Sequence, residues 1–139
     1  MYLLNLTTSL LFGLTSAYTY YMNVIPFFVA CGCCLMTSVL YHGSCLLQID
    51  EDLSNSFKII DIIICNFSVF YCGIIGFSYG FNIWSTLCML CIIYIIIVYY
   101  FLHLSHHPEY GYYIHSSIHI IGNIGVYCLL QSVLLSTII

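Results

Sequence analysis

Apolar residues run through this chain almost without a break, and the charged residues that interrupt them stand in two places. Asp50, Glu51, Asp52, Lys58 and Asp61 form one cluster, and Glu109 stands alone. Three uncharged stretches remain: 1–49, 62–108 and 110–139. A helix needs about 20 apolar residues to cross a bilayer. The first two stretches therefore hold two helices each, and the third holds one. Turn residues divide them. Asn23 and Pro26 follow Tyr20 and Tyr21, and proline is tolerated in the first turn of a helix. Gly80 and Asn82 break the second stretch, with Tyr79 and Trp84 suited to a headgroup boundary. Asn55 or Ser56 is expected to cap the helix that carries Lys58, and Pro108 and Gly111 to mark the last loop. The pattern predicts five helices, at about 3–21, 24–47, 56–79, 82–103 and 112–136. The expected fold is all-α, a polytopic transmembrane helix bundle forming a single domain over 1–139, with no internal repeat and no linker. Thr7, Thr8, Ser9, Thr15, Ser16 and Thr19 dilute the first helix. It lacks the basic start and small-residue cleavage pattern of a signal peptide.

Composition sharpens this picture. Apolar residues make up 63% of the chain and charged residues 4%, whereas a soluble domain carries about a quarter charged residues. So small a domain cannot hide that much apolar surface from water. A multi-pass integral membrane protein follows, with membrane lipid as its partner. One lysine and no arginine exclude nucleic-acid binding and leave the positive-inside rule nothing to read. The nine cysteines are odd in number and lie mostly inside apolar runs, so they read as packing thiols. The pair Cys88-x-x-Cys91 falls mid-helix and reads the same way. The triplets Asn5-Leu-Thr7 and Asn66-Phe-Ser68 match a glycosylation pattern but lie too close to, or inside, the membrane. His103, His106 and His107 flank Pro108 and read as interfacial. Gly73, Gly76, Gly122 and Gly125 would let the helices pack closely, alone or in pairs of chains.

Ionisable side chains inside membrane helices are costly and mark function. Four meet that description: His42, Asp61, His115 and His119. Ser38 stands one helical turn before His42, and His115 and His119 stand one turn apart on one face. Helix parity then decides where they meet. The second helix ends, and the third and fifth begin, on the same side of the membrane. His42, Asp61, His115 and His119 thus fall at comparable depth on three helices. Neutral imidazoles are common zinc ligands, and three of them plus water describe a catalytic site. Zinc brings a bound water toward a pKa of about 7. Asp61 would hold or deprotonate that water, and Ser38 would bond it or a developing oxyanion.

This set, Ser38-Val-Leu-Tyr-His42, then Asp61, then His115-Ser-Ser-Ile-His119, resembles the CREST superfamily of membrane hydrolases and receptors. That group includes alkaline ceramidases, adiponectin and progestin receptors, hemolysin III proteins and the myomaker branch. The resemblance spans roughly residues 27–130. It implies zinc ligands at His42, His115 and His119, contact of Asp61 with the zinc-bound water, and hydrolysis of a lipid amide or ester. The superfamily core has seven helices, and this chain has room for five; losing a pair preserves the parity. Two other readings stay open. The chain is a non-catalytic member, receptor-like or membrane-remodelling, or it is a subunit of a larger membrane complex whose polar residues face partner helices or a haem, which two histidines could ligate.

Overall fold

A computed structural model describes residues 2–104 and 108–138, and the side chains of 2–100 and 113–137. It contains α1 (Tyr2–Tyr21), α2 (Ile25–Leu46), α3 (Glu51–Ser78), α4 (Ile83–Leu104) and α5 (Pro108–Ile138). The fold is all-α, as the apolar pattern predicts. Four helices hold segments long and apolar enough to cross a membrane: Ile25–Leu46, Glu51–Ser78, Ile83–Tyr100 and Tyr113–Thr137. By length and composition the chain is a multi-pass membrane protein.

Two helix starts differ from expectation. α3 opens at Glu51, not near 56, because Asp50 is the cap rather than Asn55 or Ser56. The Asp50 carboxylate accepts from the backbone N–H groups of Asp52 (3.1 Å) and Leu53 (3.2 Å). Glu51 and Asp52 then occupy the first turn, where the helix dipole favours negative charge. Likewise Pro108 does not mark a loop but opens α5, at a position where its missing N–H costs nothing. Gly111 is helical. The break at Asn82 is as expected, and its chemistry is an N-cap. Its side-chain oxygen accepts from the N–H groups of Trp84 (2.9 Å) and Ser85 (3.1 Å), and its amide donates to Ser132 of α5 (2.8 Å).

The helices pack in the order α3, α2, α1, α5, α4, and α3 also touches α5. α3 and α4 flank a lateral cleft without packing along one another. Large apolar side chains point outward, among them Leu14, Met36, Phe70, Ile83 and Ile96, while Ser9, Thr19, Ser38, Ser85 and Ser132 are fully enclosed. That inversion is what lipid as a solvent selects. Tails reward apolar surface outside, and helices associate through small and hydrogen-bonding residues. α1 shows it most clearly. Asn5, Thr8, Ser9, Phe12, Ser16 and Thr19 make one buried stripe at helical spacing. The hydroxyls that dilute its hydropathy are its packing face.

An apolar cluster sits at the end of the bundle where α2 and α4 begin and α3 and α5 end. It joins Phe27, Ala30, Cys72, Cys88, Cys128, Leu129, Leu130 and Val133. Cys88 is thus a packing thiol, as expected, and all nine cysteines are unpaired. Gly76 lets α3 approach α5 here, because a Cβ on it would collide with the Leu129 side chain back to its root. Gly76→Ala is therefore expected to destabilise the fold by about 1–3 kcal/mol, read as an earlier thermal transition in detergent.

Candidate metal centre

The opposite end of the bundle is polar. His42 lies one turn from the end of α2, and His115 and His119 lie two and three turns into α5. Three imidazoles meet there, with ring centroids 5.0 Å apart for His42 and His115, 4.7 Å for His115 and His119, and 5.3 Å for His42 and His119. One ring nitrogen from each lies within 4.8 Å of the other two. The Nε2 atoms of His42 and His115 are 3.1 Å apart. Zinc–nitrogen bonds of about 2.0–2.1 Å in a tetrahedron place donor nitrogens about 3.3 Å from one another. The set matches that edge at one pair, and the other separations lie within 4.8 Å. His42 and His119 are buried, and His115 is half-buried. Among the described residues, Nδ1 of His42 is the buried side-chain polar atom without a hydrogen-bond partner. That nitrogen is on the other edge of the ring from the Nε2 that meets His115, so an ion held beside His115 would use Nε2. The donor set, three neutral nitrogens shielded from water, suits a borderline-soft dication such as zinc. It does not suit haem, because rings in contact leave no slot for a flat macrocycle between them.

The carboxylate of Asp61 stands beside this cluster, ten residues into α3. Oδ1 of Asp61 accepts from Ser38 Oγ (2.6 Å) and Thr37 Oγ1 (2.8 Å), with the Cys65 thiol at 3.6 Å. These donors offset the cost of burying the carboxylate. Ser38 has one O–H and gives it to Asp61, so it holds the carboxylate and keeps no proton for an oxyanion. Asp61, His115 and His119 line one cavity of about 310 Å³, whose walls are mostly apolar and include Ile62, Cys65, Val69, Ile95 and Ile118. The cavity lies in the cleft between α3 and α4, and Ala30, Cys31 and Cys34 of α2 join α5 in its floor. All five residues singled out on sequence grounds therefore belong to one neighbourhood, in two linked groups. His42, His115 and His119 form one group, and Ser38 and Asp61 form the other.

Sequence reasoning missed the part played by α1. Nδ1 of His119 lies 3.2 Å from both Thr8 Oγ1 and Ser9 Oγ. Asn5 is buried and accepts from Ser116, so its side chain is engaged inside the bundle. Thr15 donates to Asn123 (2.6 Å), which in turn donates to the carbonyl of His119 (2.7 Å). The signal was present as hydroxyl and amide residues at helical spacing in an otherwise apolar helix. His106 and His107, expected at the interface, lie outside the described residues, as does the side chain of His103.

Comparison with models of known protein families, with curated proteins and with solved structures finds no match to this chain.

Proposed function

We propose that this membrane protein holds zinc on His42, His115 and His119 and hydrolyses a lipid amide or ester, as its resemblance to the CREST superfamily implies. The observation that carries the reading is the cluster of three imidazoles, two of which, His115 and His119, line one cavity together with the hydroxyl-held carboxylate of Asp61. Zinc held there would supply a Lewis acid and bring a water toward a pKa of about 7. The chain's own residues supply the rest. Thr37 and Ser38 occupy Oδ1 of Asp61 and leave Oδ2 to take a proton from the attacking water. Asp61 then returns that proton to the departing nitrogen or oxygen, so water adds across the scissile acyl bond to leave a free amine or alcohol and a carboxylic acid, which gives up its own proton to solvent. The apolar walls hold the acyl chain and keep bulk water away. The lateral cleft between α3 and α4 admits substrate from the bilayer, which suits a lipid and not a soluble ester.

The test is turnover of a long-chain ceramide and of an ester of the same chain length by purified protein in lipid vesicles. Acyl-chain release that is lost on chelation and restored by zinc supports the reading. A metal-loaded protein that releases no acyl chain from either substrate removes catalysis and leaves the metal as a clamp between α2 and α5.

A further inference from the structure

The hydroxyls of α1 surround one nitrogen of His119, and their own protons are already committed. Ser9 Oγ donates to the Asn5 carbonyl at 2.8 Å. Thr8 Oγ1 donates to the carbonyl of Asn5 (3.0 Å) or Leu4 (3.1 Å). A hydroxyl has one hydrogen to give and two lone pairs with which to accept. Having donated to the helix backbone, each oxygen meets Nδ1 of His119 as an acceptor. A bare nitrogen here would point its lone pair at oxygen lone pairs. An N–H shared between two hydroxyl oxygens satisfies both of them.

We infer that Thr8 and Ser9 are positioning residues that fix His119 in its Nδ1–H tautomer and so leave Nε2 as the bare nitrogen. In free neutral imidazole both tautomers are accessible, and a metal selects one by using the lone pair of the other nitrogen. Here the choice is made by α1 before any ion arrives. A hydrogen bond to the far nitrogen of a ligating histidine fixes ring orientation, and its loss typically costs 10–100-fold in metal affinity. α1 would then be present for a chemical reason, although it contributes no ligand. This inference rests on the metal reading only for its consequence. The tautomer itself is a property of the metal-free protein, and the two can fail separately.

The experiment is nitrogen-15 NMR of metal-free, histidine-labelled protein in lipid nanodiscs at a pH where the imidazoles are neutral. The His119 signals are identified by their loss in His119→Gln. The expected result is one tautomer at His119, protonated at Nδ1. A doubly substituted chain, Thr8→Val with Ser9→Ala, should show a mixture of tautomers and bind zinc 10–100-fold more weakly. The conservative pair Thr8→Ser with Ser9→Thr should restore both readings. A wild-type spectrum with the proton on Nε2, or an even mixture, overturns the inference without the need for any variant. So does a doubly substituted chain whose His119 stays wholly Nδ1-protonated. A fixed Nδ1–H tautomer in a protein that takes up no zinc keeps the positioning role and discards the metal reading.

Discussion

His119→Ala is expected to abolish stoichiometric zinc binding and with it the whole contribution of the metal to stability. A ligand that binds only the folded state stabilises it by RT ln(1 + [L]/Kd), about 2.7 kcal/mol when free zinc is 100 times the dissociation constant. The wild-type protein should therefore melt at a clearly higher temperature with zinc than with a chelator, and the variant should melt at one temperature in both. The same loss is expected for His42→Ala and His115→Ala, because two imidazoles and water hold zinc far less tightly than three. The control is built into the fold. Thr8 and Ser9 keep their backbone acceptors when the ring is removed, so His119→Ala leaves α1 without a new unpaired donor. A variant that still takes up one zinc per chain would show that the ion is held elsewhere, with the cysteines the first place to look.

The second large effect is expected at Asp61. Asp61→Asn keeps a side-chain oxygen to accept from Thr37 and Ser38, so the link between α2 and α3 should survive. It removes the group that moves the proton, and general-base catalysis contributes typically 10²–10⁴-fold. Acyl-chain release should fall by that factor at unchanged zinc content and unchanged melting temperature. Asp61→Ala is the poorer probe, because it strands two buried hydroxyls as well. If Asp61→Asn turns over lipid at the wild-type rate, the carboxylate is a structural partner of Ser38 and the proton travels another way.

Much of this arrangement could be read from the order of residues, because the bilayer imposes a simple grammar. Charge marks where the chain leaves the membrane, and span length counts the crossings between marks. Five helices and the parity that brings His42 to His115 follow from those two rules together with the turn residues that split the long stretches. What escaped had a local or a tertiary cause. α3 and α5 begin earlier than the apolar pattern alone indicates, because Asp50 and Pro108 are good helix openers that lie outside the apolar runs. The role of Ser38 depends on where its single proton goes, and only the 2.6 Å contact with Asp61 answers that. The hydroxyls of α1 looked like a weakness in a membrane segment. Their value appears once α5 is packed beside them, and periodicity within one helix does not name its neighbour.

The central claim is that three imidazoles from α2 and α5 share one ion, and X-ray absorption at the zinc edge of the purified protein tests it most directly. The expected spectrum is a shell of light scatterers at about 2.0–2.1 Å with the multiple-scattering pattern of three imidazole rings, at one zinc per chain. A shell dominated by sulfur at about 2.3 Å would move the ion to the cysteines, and a protein that binds no zinc in stoichiometric amount would contradict the claim outright.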